Sequence, residues 1–354
     1  MKIAIAGGGT AGHIEPALNT ADAIRKLDPT AQFVVLGTER GLEVTLVPAR
    51  GYELSLIPAV PLPRKINKDL FTLPARLRDA ITKTKQAIAG SDVLVGFGGY
   101  VAMPAYFAAR SLKIPIVVHE ANAKAGLANR IGARFAVRVL ETVGGSIQHG
   151  TRVGLPLRSA IADFDKSQAR QAGLDFWKLS PNRPTLLVFG GSQGARSLNK
   201  VVAAASFELT ELGWQILHSV GKGNPDFLTD SNPHYRTVDY IENMAWAYGV
   251  ADVAVTRAGA MSVAELTATA VPSIYVPLPI GNGEQRLNAQ PVVEAGGGVI
   301  FSDSEFTSER LIQKIAEWES VGLLNLSNKL KLMTTSNAAE QIAEICLEVA
   351  KVKL

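Results

Sequence analysis

Three glycine-rich turns, each directly after a short apolar run, constrain this chain more than any other feature of its sequence. They are Gly7-Gly8-Gly9-Thr10-Ala11-Gly12-His13, Gly96-Phe97-Gly98-Gly99-Tyr100 and Gly190-Gly191-Ser192-Gln193-Gly194. The runs before them, Lys2–Ala6, Asp92–Val95 and Thr185–Phe189, read as buried strands. A strand that ends in glycines and opens a helix presents bare backbone N–H groups and the positive end of a helix dipole, both suited to a phosphate or diphosphate. Two turns lie in the first half of the chain and one in the second, which points to two phosphate-bearing ligands held by two similar domains.

The rest of the pattern agrees with two α/β domains. Strand candidates alternate with helical stretches: helix near Ile14–Lys26, strand Phe33–Leu36, helix near Leu42–Arg50, strand near Leu54–Ile57, then helix near Met103–Ser111, strand Ile116–Val118, helix near Leu127–Phe135 and strand Val137–Leu140. The rhythm restarts at Thr185–Phe189 and continues with Trp214–His218, Thr237–Tyr240, Val253–Thr256, Ser273–Val276 and Gly298–Phe301. Such alternation predicts parallel, doubly wound sheets whose ligands sit at the carboxyl ends of the strands. At 354 residues, with 47% apolar and 6% aromatic residues, the chain is long enough for two cores rich in Val, Ile and Ala. The boundary is expected between Gly154 and Pro184, where Pro156, Asp163, Asp165 and Pro181 interrupt regularity. A single cysteine, Cys346, excludes an internal disulfide framework and a thiolate zinc cluster. The N-terminal residues carry no secretory pattern and no apolar run is long enough to span a bilayer, so a cytoplasmic chain is expected.

Taken alone, Gly7-x-Gly9-x-x-Gly12 is a dinucleotide fingerprint, and an NAD-dependent oxidoreductase is the first reading to weigh. It needs an acid after the second strand, for which Glu39 is the nearby candidate, and it explains only one of the three turns. The second half adds Arg257-Ala258-Gly259-Ala260-Met261-Ser262-Val263-Ala264-Glu265, a strand end entering a helix. Its amides from Gly259 to Ser262 can face a phosphate while Glu265 presents a carboxylate to a ribose diol, the arrangement a nucleotide sugar requires. An Asp-x-Asp pair occurs only at Asp163-Phe164-Asp165, outside a strand end, and reads as solvated; no metal and no cofactor are expected.

Five motifs in order, Gly8-Gly9-Thr10-Ala11-Gly12-His13, Gly98-Gly99-Tyr100-Val101, His119-Glu120-Ala121-Asn122, Gly190-Gly191-Ser192-Gln193-Gly194-Ala195 and Glu284-Gln285-Arg286-Leu287-Asn288-Ala289, carry a resemblance over essentially the whole chain. The sequence resembles the bacterial MurG family of glycosyltransferase family 28. The resemblance implies a GT-B type α/β fold: two Rossmann-like, doubly wound parallel-sheet domains with a cleft between them. Residues 1–157 would form the acceptor and membrane-association domain, 158–335 the UDP-N-acetylglucosamine domain, and 336–354 a helix returning to the first domain. The implied reaction is transfer of N-acetylglucosamine from the UDP sugar to a muramoyl-pentapeptide lipid diphosphate in peptidoglycan synthesis. Ile241 would contact uracil, Glu265 the ribose, Ser192 with Ala260 and Met261 the donor diphosphate, and Gln285 the sugar hydroxyls. Thr10, Ala11, Gly12, His13, Gly99 and Tyr100 would line the acceptor side, with Asn122 near the reacting groups and Arg158 near the domain junction. The sequence departs from many members at Leu155, Ala258, Asn282 and Glu284, so donor contacts are not assigned to the last two.

Two functional alternatives share these features: a nucleotide-sugar enzyme of the same fold, such as an epimerase or a glycolipid glycosyltransferase, and a non-catalytic nucleotide-sugar binder. Inverting transfer requires a base for the incoming hydroxyl, and His13, at a helix start that lowers its pKa, is the candidate. From Pro61 to Gln86 the chain carries Arg64, Lys65, Lys68, Arg76, Arg78, Lys83 and Lys85 against Asp69 and Asp79, interleaved with Ile66, Leu70, Phe71, Leu73, Leu77 and Ile81. This segment reads either as a solvated helix packed by its apolar side or as an interfacial segment on anionic inner-leaflet lipid. With one aromatic there and no nucleic-acid module, nucleic acid is not an expected partner. The expected location is the cytoplasmic face of the cell membrane, peripherally bound, in the company of cell-division or elongation proteins.

Overall fold

The computed structural model describes residues 1–60, 69–191, 193–279, 283–333 and 337–352; within the helix that starts at Asp69, the side chains of residues 69–71 are also outside the description. The chain divides into one compact unit of Met1–Arg158 with Asn337–Leu354 and a second of Ser159–Ser336.

The first unit contains β1 (Lys2–Gly7), α1 (Ala11–Leu27), β2 (Gln32–Gly37), α2 (Glu43–Ala49), β3 (Glu53–Leu56), α3 (Asp69–Ile88), β4 (Val93–Gly98), α4 (Ala102–Ser111), β5 (Ile116–Glu120), α5 (Leu127–Gly132), β6 (Arg138–Glu141) and β7 (Thr151–Arg152). Among the described residues its strands form one parallel sheet in the order β3-β2-β1-β4-β5-β6-β7. The two-residue edge strand β7 is too short to leave a sequence pattern. Strand β1 shows why both faces are covered. Ile3 and Ile5 point into a core with Ile14 and Leu18 of α1, whereas Ala4 and Ala6 join Ala102, Ala105 and Ala109 of α4 on the other face. The alternation is the period of two expected of a strand, and the small side chains bring α4 close to the sheet.

The second unit contains α6 (Ser159–Ala162), α7 (Lys166–Trp177), β8 (Thr185–Phe189), α8 (Arg196–Glu211), β9 (Gln215–Ser219), β10 (Tyr235–Val238), α9 (Met244–Val250), β11 (Val253–Thr256), α10 (Ala260–Ala268), β12 (Ser273–Tyr275), α11 (Glu284–Glu294), β13 (Gly298–Ile300), α12 (Ser308–Val321) and α13 (Leu323–Lys331). Its parallel sheet runs β10-β9-β8-β11-β12-β13. Leu186, Val188, Val253 and Val255 pack there against Leu198 and Val202 of α8 and Leu311 and Ile315 of α12.

The stretch read as an irregular boundary is largely helical. Asp165 accepts from the Gln168 N–H at 3.0 Å and starts α7 as its N-cap. Helix α7 then lies against α9 through Gly173 and Gly249: a Cβ on Gly173 would lie 2.6 Å from Val250, and one on Gly249 2.5 Å from the Ala169 backbone. Glycines in mid-helix hid this pair from propensity reasoning. The last helix, α14 (Ala338–Lys351), belongs to the first unit. Its Ile342, Ala343, Cys346, Val349 and Ala350 share one helical face and join the core that holds Ile14 and Leu18. Burial pushes the Cys346 thiol up to about 12, so this cysteine is a packing residue.

Candidate functional site

In each sheet the strand order reverses once, between β1 and β4 in the first unit and between β8 and β11 in the second. Loops that leave the carboxyl ends of such strand pairs in opposite directions open a crevice. All three glycine turns, and the Arg257–Gly259 segment, leave these four strands.

In the first unit the turns after β1 and β4 touch. Gly99 has φ +83°, and a Cβ on it would overlap the Gly8 carbonyl oxygen, so only glycine fits there. The Tyr100 ring lies beside Gly9, 3.2 Å from where a Cβ on that residue would be, and is itself half exposed. Thr10 is the N-cap of α1, and Ala11 and Gly12 follow in the first turn, where backbone N–H groups have no helical carbonyl to bond. His13, one position on, is half-buried. Its Nδ1 lies 2.9 Å from the Thr10 hydroxyl, and its Nε2 edge lies over Gly98, 3.2 Å from a Cβ built there. When Nδ1–H donates to Thr10, Nε2 carries a lone pair. Burial holds the His13 pKa below the ordinary histidine range, so the ring is neutral at neutral pH.

Asn122 follows β5, the neighbour of β4. Its backbone N–H and side-chain amide donate to Glu120 Oε1 at 2.9 and 3.3 Å. Glu120 Oε2 accepts from Gly126 N–H at 3.1 Å and from Asn129 Nδ2 at 2.9 Å. Desolvation raises the Glu120 pKa, and these four donors oppose that rise. Asn129 in turn accepts from the buried Tyr106 hydroxyl at 2.7 Å and lies beside Gly98. The structure therefore brings Thr10, His13, Gly98 to Tyr100 and the Asn122 loop together. His119 does not join them: its Nε2–H donates to the Gly154 carbonyl at 2.9 Å, and burial drops its pKa to about 4. Arg158 donates to Glu15 of α1 at 3.1 Å, and Glu15 also takes Arg50 at 2.6 Å.

Two acids follow β2, where a dinucleotide site would draw its carboxylate. Glu39 stands exposed beyond the end of β2, and Glu43, four residues on, is fully buried. Glu43 accepts from the Gly9 N–H at 3.0 Å and from the Thr38 N–H and hydroxyl at 2.8 and 3.0 Å. Sequence reasoning missed Glu43 and the bracing role of Glu120. Gly8, Gly37 and Gly41 all crowd the Glu43 side chain, and such a cluster of glycines around one carboxylate is a signal only once the fold is known.

In the second unit the turn after β8 is braced by the loop after β9. Gly194 and Gly221, with φ +73° and +89°, abut so closely that a Cβ on either would overlap the other loop's backbone. Asn224 bonds the Gln193 and Val220 carbonyls at 3.0 and 3.1 Å. Ser192 lies outside the described residues. Gly259 caps α10, so Ala260 and Met261 occupy its first turn with half-buried side chains. Glu265, one turn further, is buried and accepts from the Tyr248 hydroxyl at 2.8 Å. Ile241 is buried just beyond β10. Gln285 opens α11 and accepts from the Leu278 N–H at 2.9 Å; Asn282 is outside the described residues. Arg257 ties the strand ends together, donating to the Val276 carbonyl, Asp303 and Ser197 at 3.0, 2.9 and 2.8 Å.

Residues 3–141 match the glycosyltransferase family 28 N-terminal domain and residues 185–345 the glycosyltransferase family 28 C-terminal domain. A relative from Streptomyces coelicolor, the UDP-N-acetylglucosamine–N-acetylmuramyl-(pentapeptide) pyrophosphoryl-undecaprenol N-acetylglucosamine transferase, is 54% identical over 89% of this chain and 88% of its own. The protein of the same name from Mycolicibacterium vanbaalenii is 50% identical over 99% of this chain and 90% of its own. Among solved structures, Acinetobacter baumannii MurG aligns with a TM-score of 0.77 at 26% identity, covering 98% of this chain and 99% of that one. A UDP-GlcNAc 2-epimerase from Neisseria meningitidis shares the fold alone, with a TM-score of 0.68 at 12% identity over 98% of this chain and all of that one. With both domain models matched in order and half or more of the aligned residues identical to relatives covered over nearly nine-tenths of their length or more, the chain belongs to glycosyltransferase family 28 and, within it, to the MurG family.

Proposed function

We propose that this protein transfers N-acetylglucosamine from UDP-N-acetylglucosamine to the muramoyl-pentapeptide lipid diphosphate with inversion at the anomeric carbon. The observation that carries the reading is the junction of two glycine turns at the β1/β4 switch point, with a neutral histidine oriented by Thr10 beside them. The first unit takes the acceptor. Amides at the start of α1 and the Gly98 to Tyr100 turn face its diphosphate, and the Asn122 loop faces the reacting groups. The second unit takes the donor. Glu265 accepts from the ribose diol, the Ile241 backbone meets uracil, and the first amides of α10, at Ala260 and Met261, hold the diphosphate with Ser192. Gln285 bonds the sugar hydroxyls.

In the reaction the acceptor hydroxyl oxygen bonds to the anomeric carbon as the bond from that carbon to the UDP oxygen breaks. The hydroxyl proton passes to His13 Nε2, and the negative charge gathers on UDP. Amides and the α10 dipole stabilise that charge, as preorganised donors do in a site that excludes water. The Thr10 hydroxyl accepts from Nδ1–H and so favours the charged ring as it forms.

Among the described residues no helix is long and apolar enough to cross a membrane, so a lipid-borne acceptor must be met at the surface. The stretch from Arg64 into the start of α3 supplies the attachment, with Arg64, Lys65, Lys68, Arg76 and Arg78 as the cations for anionic headgroups and Leu70, Phe71 and Leu73 as the apolar residues for the acyl boundary. Residues 61–68 and the Leu70 and Phe71 side chains lie outside the description. Further along α3, Ala80, Thr84 and Ile88 are buried on one face, so this half of the helix packs on the protein. The test of the reaction is product analysis. Incubation with UDP-N-acetylglucosamine and a short-chain lipid-diphosphate muramoyl-pentapeptide should add one N-acetylhexosamine mass with a β linkage by NMR, and an α linkage or no added mass would refute it.

A further inference from the structure

The geometry points to Glu43 as a positioning residue that locks the Gly8–Gly9 peptide and, through it, both glycine turns of the first unit. It touches neither substrate. The peptide between Gly8 and Gly9 has two polar edges, and both are gripped. Its N–H edge, on Gly9, donates to Glu43 Oε2 at 3.0 Å. Its carbonyl edge, on Gly8, is packed against Gly99 so tightly that no side chain fits between them. A peptide flanked by two glycines turns over at little steric cost, because neither residue carries a Cβ to oppose it. Gly9 already sits at φ +92°. Turned over, the unit would swing its carbonyl away from Gly99 and uncouple the turn that carries Thr10 to His13 from the turn that carries Tyr100.

The lock is a buried charge, and its setting explains how it is tolerated. An unpaired carboxylate in a protein interior is costly unless hydrogen-bond donors surround it. Glu43 is fully buried and has the Gly9 N–H on one oxygen and the Thr38 N–H and hydroxyl on the other. All three partners are donors, so a group that can only accept is required. Glu43 also occupies the Gly9 N–H, which assigns the anion-binding amides of this turn to Thr10, Ala11 and Gly12.

This inference rests on the acceptor reading of the first unit. Initial rates are measured with UDP-N-acetylglucosamine and a short-chain lipid-diphosphate acceptor, each varied in turn, for the parent, Glu43→Gln, Thr38→Val and His13→Ala. Glu43→Gln keeps the volume but turns an amide NH2 toward a donor. It should raise the acceptor KM about tenfold or more and leave the donor KM within about twofold. Partial misfolding would instead lower kcat and leave both KM values unchanged. An unchanged acceptor KM in Glu43→Gln overturns the inference, while an acceptor-side loss in His13→Ala keeps the reading of the unit intact. Should Glu43→Gln fail to fold, Thr38→Val decides: it removes one donor to Oε1 and should raise the acceptor KM about threefold, and parental kinetics overturn the inference. If Glu43→Gln and His13→Ala change only the donor KM, the acceptor reading fails and the inference with it.

Discussion

Replacing Glu265 by Gln and by Ala separates its structural bond from its proposed ribose contact. Glu265 is 6% exposed and its carboxylate accepts from the Tyr248 hydroxyl at 2.8 Å, and Tyr248 is itself fully buried. Hydrogen bonds to charged groups contribute about 1.5–3 kcal/mol. Glu265→Ala forfeits the tyrosine bond, and at roughly 2–4 °C per kcal/mol for a unit of this size the melting point should fall by several degrees. Glu265→Gln keeps a carbonyl oxygen for Tyr248 and should melt near the parent. For the ligand the two variants converge. Both lose the charged acceptor for the ribose diol, and a loss of about 1.5–3 kcal/mol corresponds to roughly 10–150-fold in Kd at 1.4 kcal/mol per decade. Calorimetric titration with UDP, paired with scanning calorimetry of the free protein, reads both quantities. A Glu265→Gln protein that binds UDP within twofold of the parent would remove Glu265 from the donor site. A Glu265→Ala protein with parental melting would show that the Tyr248 bond contributes nothing.

Three further outcomes are expected. His13→Ala should keep UDP affinity and lose turnover by roughly 100-fold or more; in the parent the acid limb of kcat should lie below the ordinary histidine pKa, since burial lowers that of His13, and near-parental turnover would reduce the residue to a cap. His218 is buried between Asn199 and Tyr235, and burial drops its pKa to about 3. The unfolded chain therefore takes up a proton below about pH 6.5 that the folded chain refuses, so stability is full above that pH and falls toward pH 3; His218→Gln should show a shallower decline in urea midpoints between pH 6.5 and 4, and an equal slope would contradict the assignment. Binding to liposomes should require anionic lipid, weaken with salt, and be lost in a Leu70→Ser, Phe71→Ser double variant that still binds UDP; equal binding of variant and parent would leave this stretch as an ordinary packed helix.

The strands were the most legible part of this chain. Thr185–Phe189 and Val253–Thr256 are bounded in the structure as their apolar runs predict, because a strand covered on both faces admits few polar residues. Helix α7 was not legible. Its partner is a second helix at glycine contacts, and glycine in a helix reads locally as a break. Much the same separates the glycine turns from what holds them. A turn announces itself through residue types that tolerate φ above zero, whereas Glu43 takes its meaning from the Gly9 N–H brought from the end of β1, and Glu120 from the Asn122 and Gly126 N–H groups of the loop that folds back over it. Asp165 is exposed, as its reading as a solvated acid expects, and its further role as the cap of a helix became visible only with the structure.

The account stands on one division of labour, a donor that reacts only when an acceptor is present. The measurement that tests it is release of UDP from UDP-N-acetylglucosamine by the purified protein, with and without the lipid-diphosphate muramoyl-pentapeptide. The account predicts rapid release with the acceptor and release near the uncatalysed rate without it. Equal release in both conditions, or conversion of the donor sugar in the absence of acceptor, would contradict the account and favour an enzyme acting on the nucleotide sugar alone.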